Sequence, residues 1–201
     1  MPLRARLAVL LAATFAVAAA FVLTVTGHDD APRAQARSEG SFRPPGMPVA
    51  NFRMRDQDGK VATLSEYRGK PVVVTFLYTT CEDTCPLTAQ QIRGALDELG
   101  HDVPVLIFAV DPPRDTPQRA RRFLGEQRVT GRMRFLLGPR EELERQWKAY
   151  GIQPQEDGLE HSAYVVLLDG TGRQRIGFPA GQLTPEALAN DLRLLERAAG
   201  R

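Results

Sequence analysis

The sequence predicts an α/β protein in which a mixed central sheet is flanked by helices. Short apolar runs typical of buried strands alternate with longer segments whose apolar residues recur at helical spacing. Near the end of the chain, two strand-like runs follow one another directly and precede a final helix. Strands joined through helices favour parallel pairing and successive strands favour antiparallel pairing, so we expect both kinds in the sheet.

The first predicted element is a β-hairpin, because residues 52–56 and 60–64 alternate apolar with polar side chains around Gln57-Asp58-Gly59. A buried strand over 71–78 and a helix over about 86–99 follow. This order is compatible with a thioredoxin-like sandwich that carries an added N-terminal β-hairpin and an insertion. The remaining predictions are a strand over 103–110, a helix over about 117–127 with Thr116 as N-cap, a strand over 134–137, a helix over 139–150 stopped by Gly151, an acidic loop over 152–160, strands over 163–168 and 173–178, and a helix over 185–198.

The N-terminus carries an export signal, since Arg4 and Arg6 precede 19 apolar or near-apolar residues over 7–25. Such a run is about long enough to cross a hydrocarbon core of roughly 30 Å. It is interpreted either as an uncleaved membrane anchor or as a cleaved signal peptide. The predicted organisation is an anchor or signal segment over 1–27, a flexible linker over 28–47 and a folded domain over 48–201. Either interpretation places the folded domain outside the cytoplasm, where disulfides form.

The only two cysteines, Cys81 and Cys85, lie between the buried strand and its helix. A helix that begins near Thr84 would place both sulfurs at its N-terminus, where amide groups and the helix dipole stabilise thiolates. The neighbouring Glu82 and Asp83 oppose that effect. Thiolates are both nucleophiles and soft-metal ligands, so redox chemistry and metal binding stay open. Thiol oxidoreductases usually have two residues between their cysteines, whereas this chain has three.

A metal held by two thiolates needs a further ligand, and the chain has three histidines. His28 borders the apolar run and is interpreted as a linker residue, and His101 lies in a predicted exposed turn. His161 ends the acidic loop directly before a buried-type strand, a position where α/β proteins often place site residues. Its alternative interpretation is a loop or capping residue. Two thiolates and one imidazole suit Cu(I), or Cu(II) with an added oxygen donor, whereas zinc would need a fourth strong ligand.

Residues 50–198 resemble the SCO/SenC family, thioredoxin-like copper proteins that assist assembly of cytochrome c oxidase. The resemblance implies that Cys81, Cys85 and His161 are copper ligands. Asp111 resembles a family aspartate near the site, and its alternative role is that of a turn residue. Where the family often has Pro and Asp, this chain has Glu82 and Glu160, and neither departure removes a ligand. The motifs are Phe76-Leu77-Tyr78-Thr79-Thr80-Cys81 through Cys85-Pro86, Val110-Asp111-Pro112-Pro113-Arg114-Asp115-Thr116-Pro117, Leu137-Gly138 with Glu141-Glu142, and His161-Ser162 before Leu168-Asp169-Gly170.

The resemblance therefore implies a copper-binding metallochaperone, rather than an enzyme, that helps assemble the copper site of cytochrome c oxidase. The expected partners are the copper-site subunit of the oxidase or another copper chaperone. The expected location is the periplasm, with one N-terminal helix in the inner membrane. No basic stripe indicates a nucleic-acid partner, because the net charge of +2 comes from Arg4 and Arg6.

A thiol–disulfide reductase acting on the cysteines of a copper-site apoprotein is the alternative, with Cys81 and Cys85 as its catalytic redox-active pair. His161 would be dispensable in that reaction. A disulfide between the cysteines would leave no thiolate for copper, so we expect redox state to gate copper loading. A purely redox-sensing role also stays open, whereas a peroxiredoxin is disfavoured because Tyr78 stands where that class usually has Thr.

Overall fold

The computed structural model of the chain describes residues 37–47, 50–152 and 164–200. Within these ranges the helices and strands follow the predicted order and type, except for a two-residue strand, Ser41–Phe42, in the segment predicted as a linker. Two short 3₁₀ helices, Leu64–Tyr67 and Ala180–Gln182, supplement them. The elements are β1 (Ser41–Phe42), β2 (Arg53–Asp56), β3 (Val61–Thr63), β4 (Val72–Leu77), α1 (Thr84–Leu99), β5 (Val105–Ala109), α2 (Pro117–Glu126), β6 (Met133–Leu137), α3 (Arg140–Tyr150), β7 (Tyr164–Leu168), β8 (Gln174–Pro179) and α4 (Pro185–Ala199).

The described strands form one mixed sheet in the order β1-β8-β7-β4-β5-β6-β2-β3. β4, β5 and β6 run parallel, because a helix separates each of them from the next. β7 pairs antiparallel with β4, and β8 pairs antiparallel with β7. The hairpin of β2 and β3 joins the sheet through an antiparallel pairing of β2 with β6. The mixed sheet and the added hairpin are therefore confirmed.

Helices cover the sheet because successive strand residues point to opposite faces. On one face, the Tyr150 ring of α3 lies 5.3 Å from Phe76 and 6.1 Å from Phe108 between ring centroids. Phe123 of α2 packs edge-to-face on Phe135, which pairs in register with Ile107, the residue before Phe108. α2 therefore lies on the opposite face from α3.

α1 and α4 pack closely against each other at Gly94. A β-carbon built at Gly94 would stand 2.9 Å from Cγ of Pro185, the first residue of α4. Any larger residue at position 94 would therefore push the two helices apart.

The linker predicted over 28–47 extends too far, since its C-terminal part belongs to the folded domain. Ser41–Phe42 pairs with β8, and the residues before it bind Asp191 of α4, whose side chain is fully buried. Ser38 Oγ, Glu39 N and Gly40 N donate to the Asp191 carboxylate at 2.8–2.9 Å. A two-residue strand with polar flanks has no periodic pattern, so its sequence alone does not reveal it.

No helix among the described residues is long and apolar enough to cross a membrane. The anchor or signal segment predicted over 1–27 lies outside the described residues, as does the linker up to residue 36.

Candidate metal centre

The two cysteine sulfurs lie together at the end of β4, where the chain turns into α1. All six residues of β4 are buried, and α1 begins at Thr84 as expected. The N-cap residue Asp83 makes no capping hydrogen bond with its side chain. Instead, the Cys85 amide donates to Cys81 Sγ at 3.2 Å. The Cys81 sulfur therefore accepts from one of the amides that a helix N-terminus otherwise leaves unpaired.

The two thiols differ in environment, since Cys81 is half-buried and Cys85 is fully buried. Burial raises the pKa of the Cys85 thiol, the neighbouring Cys81 side chain adds to the rise, and a backbone hydrogen bond at Tyr78 opposes it. The expected lowering of thiol pKa by the helix N-terminus is therefore wrong for Cys85. A helix terminus contributes at most about 2 kcal/mol. Full desolvation shifts a pKa by up to about 3–5 units, and each unit corresponds to about 1.4 kcal/mol. Desolvation of Cys85 can therefore outweigh the effect of the helix terminus.

Tyr78 borders the thiols and keeps its proton. Burial, the Cys81 hydrogen bond and the charges of both cysteines raise the pKa of Tyr78 to about 12, and the Arg114 guanidinium opposes them. The phenol is therefore neutral near pH 7 and can donate a hydrogen bond to a sulfur.

A buried carboxylate, Asp115, joins the chain segments that follow β4 and β5. Its Oδ1 accepts from the Thr79 amide at 2.7 Å and from the Thr79 hydroxyl at 2.8 Å. Its Oδ2 accepts from the Asp111 amide at 3.1 Å. Burial raises the pKa of Asp115, and these hydrogen bonds oppose the rise. Asp115 thus anchors the start of the segment that carries Cys81.

The Asp111 carboxylate has a separate contact, an ion pair with the Arg114 guanidinium. Its backbone carbonyl accepts from the amides of Arg114 and Asp115 at 3.0 and 2.8 Å. The sequence left two roles open for Asp111, and these contacts are those of a turn residue.

The predicted third ligand, His161, lies outside the described residues, as does His28. His101 is described, and it follows the opposite end of α1 from the cysteines, where its Nε2 pairs with Glu196 Oε1 at 2.7 Å. Among the residues described, no three His, Cys, Asp or Glu side chains converge as a metal site. Two soft sulfur donors fit a soft metal such as Cu(I), and a further ligand has to complete the set.

The described residues that flank 153–163 lie at the sheet edge that carries the thiols. β7 runs antiparallel to β4, so its first residue, Tyr164, stands near the end of β4. Thr75 Oγ1 donates to the Tyr164 carbonyl at 3.1 Å. On the other side of the gap, the Tyr150 ring packs on Phe76, the penultimate residue of β4.

Sequence reasoning missed Asp115 and the role of Tyr78 in this site. Asp115 lies in a polar stretch between two prolines and a helix cap, where carboxylates are usually solvated. Its burial depends on Thr79, which is 36 residues away in the chain. No local sequence signal distinguishes such a residue from a surface aspartate.

A cavity of about 520 Å³ opens elsewhere, at the edge where β4 and β5 begin. Pro71, Pro104 and His101 are among its lining residues, and the cysteines are not. The arginines in its wall already pair with carboxylates: Arg132 with Asp97 and Asp102, and Arg134 with Asp56 and Glu66. This cavity is therefore separate from the thiol chemistry.

A family model described as SCO1/SenC matches residues 43–196, which is more than half of the chain. The chain belongs to the SCO1/SenC family. The SCO1 protein homolog of Bacillus subtilis is 28% identical over 147 residues, which cover 68% of this chain and 76% of that protein. Protein SenC of Rhodobacter capsulatus is 29% identical over 154 residues, which cover 70% and 67%. The match to Schizosaccharomyces pombe Protein sco1 covers only 51% of that protein.

Solved structures confirm the predicted thioredoxin-like fold for this SCO1/SenC chain. ScoI of Bradyrhizobium japonicum, solved with copper bound, is 32% identical with a TM-score of 0.62, over 72% of this chain and 97% of that one. ScoI of Arabidopsis thaliana, also solved with copper, is 23% identical with a TM-score of 0.66, over 74% and 97%. At 23% identity, the match to the Arabidopsis protein shows a shared fold only.

We expect Cys81 to be alkylated faster than Cys85 in the reduced protein. Burial blocks the reagent at Cys85, and its raised pKa lowers the thiolate fraction tenfold per unit, so the rates should differ by about tenfold or more. Mass spectrometry after timed iodoacetamide treatment measures both rates, with Cys81→Ser and Cys85→Ser as single-thiol controls. Labelling of Cys85 should increase as pH rises. Equal rates at both cysteines would contradict the burial of Cys85.

We expect Asp115→Ala to lower the free energy of unfolding by about 1–3 kcal/mol, because the Thr79 and Asp111 amides lose their acceptor. Asp111→Ala is the matched control. It removes an ion pair with an exposed arginine and should cost below about 1 kcal/mol. Urea unfolding of both variants measures the difference, and a larger loss for Asp111→Ala would refute the anchoring role.

Proposed function

We propose that the chain is a copper-binding metallochaperone that helps assemble the copper site of cytochrome c oxidase. The observation that carries the proposal is the meeting of Cys81 Sγ with the Cys85 amide at the start of α1. It brings the only two cysteines of the chain to one point on the sheet edge. Cys81, Cys85 and His161 are the proposed ligands. Two thiolates and an imidazole hold Cu(I), and Cu(II) takes the same set with an added oxygen donor.

Relatives support copper as the cargo. ScoI of Bradyrhizobium japonicum was solved with copper bound. A Stutzerimonas stutzeri relative, 26% identical over 144 residues, is named a putative copper-binding protein. One of these relatives was solved with copper and the other is named for copper binding, so the thiol–disulfide reductase alternative is not favoured.

The difference in burial between the sulfurs suits a site that gives its metal away. Cys81 is half-buried and is the sulfur that a ligand from a partner reaches first. Cys85 is fully buried and is reached last. Copper would therefore leave by exchange that begins at Cys81. The proposed partners are the copper-site subunit of the oxidase and another copper chaperone.

The proposed location is the periplasm, with residues 1–27 as a single helix in the inner membrane. Two arginines before 19 apolar residues support this orientation. The thiols would then lie in an oxidising compartment, where their redox state matters for metal loading.

We expect the purified, reduced chain to bind a stoichiometric amount of copper. Cys81→Ala, Cys85→Ala and His161→Ala should each weaken binding by more than about 100-fold, since even residues that only support ligands cost 10–100-fold. Metal analysis and competition titration with a Cu(I) chelator measure this. His101→Ala is the matched histidine control and should bind as wild type. Unchanged affinity in His161→Ala would remove His161 from the ligand set.

We also expect oxidation to abolish copper binding, because a Cys81–Cys85 disulfide has no thiolate to offer. Copper titration of the chain before and after treatment with a thiol oxidant, followed by re-reduction, tests this. Binding should disappear on oxidation and return with reductant. Tight binding by the fully oxidised protein would exclude redox gating.

A further inference from the structure

Arg43, the residue after β1, contacts three separate parts of the domain. Its Nη2 donates to the Tyr150 carbonyl at 2.8 Å and to Gln174 Oε1 at 3.1 Å. Its guanidinium carbon stands 5.3 Å from the centroid of the Tyr164 ring. Its amide donates to the Arg175 carbonyl at 2.9 Å. One side chain therefore joins the end of α3, the start of β7 and the start of β8.

These contacts lie on both sides of residues 153–163. Tyr150 is the last residue of α3, and Tyr164 is the first residue of β7. On the α3 side, Gln174 adds a second contact, because its Nε2 donates to the Ala149 carbonyl at 3.0 Å. The second side is packed closely, since a β-carbon at Gly177 would stand 2.4 Å from the Tyr164 ring. Arg43 thus connects two well-packed residues, Tyr150 before residues 153–163 and Tyr164 directly after them.

The positive charge of Arg43 also acts on the Tyr150 side chain. Burial raises the pKa of the Tyr150 phenol, and the Arg43 guanidinium opposes the rise. The position of Arg43 is fixed from its N-terminal side, because residues 38–40 donate three hydrogen bonds to the buried Asp191 carboxylate. The described chain before β1 and the two ends of 153–163 therefore belong to one connected set of contacts.

We propose that Arg43 is a positioning residue for copper binding. It sets the spacing of Tyr150 and Tyr164, the positions that bracket the chain segment containing His161. The described N-terminal segment, held on Asp191, is thereby coupled to the copper affinity of the site. This inference rests on the proposed function, in which His161 is the third ligand.

Copper affinity of the full chain tests the coupling. Arg43→Ala should weaken Cu(I) binding by about 10–100-fold, the usual effect of removing a residue that supports a ligand. Arg43→Lys keeps a cation but loses the guanidinium geometry, so its affinity should be intermediate. Arg173→Ala, at an exposed arginine in the turn before β8, is the matched control and should bind as wild type. Wild-type affinity in Arg43→Ala would overturn the proposal.

A double mutant separates positioning from a general loss of structure. If Arg43 acts through His161, Arg43→Ala should have no further effect on copper affinity in a His161→Ala background. An equal loss in both backgrounds would overturn the assigned role. Hydrogen exchange gives a readout without copper: amides next to Tyr150 and Tyr164 should exchange faster in Arg43→Ala than in Arg173→Ala. Unchanged exchange rates would overturn the proposal that Arg43 sets the spacing of these two positions.

The two proposals fail in different ways. A wild-type chain that binds no copper overturns the proposed function and the coupling with it, while hydrogen exchange still decides whether Arg43 holds its two contacts. A wild-type chain that binds copper, beside an Arg43→Ala variant with the same affinity, overturns the inference alone.

Discussion

The hydrogen bond from the Cys85 amide to the Cys81 sulfur is the contact on which the site depends. It exists because Cys81 lies in the short connection between the end of β4 at Leu77 and the start of α1 at Thr84, and because the Asp83 side chain does not cap the first amides of that helix. The dithiol is therefore part of the helix start itself. A change that displaces the end of β4 or the first turn of α1 displaces the sulfurs as well.

Burial then distinguishes two sulfurs that the sequence presents as equivalent. Cys85 faces the core, so desolvation outweighs the helix terminus and raises its pKa. Cys81 stays half-exposed beside the neutral Tyr78 phenol. A site with one retained and one accessible sulfur suits a protein that takes up a metal and passes it on.

Two charged residues outside the proposed ligand set connect chain segments at this end of the sheet. Asp115 connects the segments after β4 and β5, and Arg43 connects the ends of α3 and the start of β7. All of these contacts lie at the end of the sheet where β4 and β5 finish and β7 begins, so they hold several chain segments together there. The segment after β4 is held by the Asp115 carboxylate, and the end of α3 and the start of β7 are joined by the Arg43 guanidinium.

The sequence by itself determined the order and type of the strands and α-helices from β2 onward, the strand-to-helix position of Cys81 and Cys85, and the family. These features follow from local spacing and from motifs, which backbone preferences and periodicity express directly. His161 remains a predicted ligand on the same basis. Only the tertiary structure decided that Asp115 is buried, that the Cys85 pKa is raised, and that residues 38–43 are part of the domain. Those outcomes depend on contacts between distant residues, such as Ser38 and Asp191, which lie 153 positions apart. Burial of a polar side chain is a property of the packed chain, so no local sequence pattern indicates it.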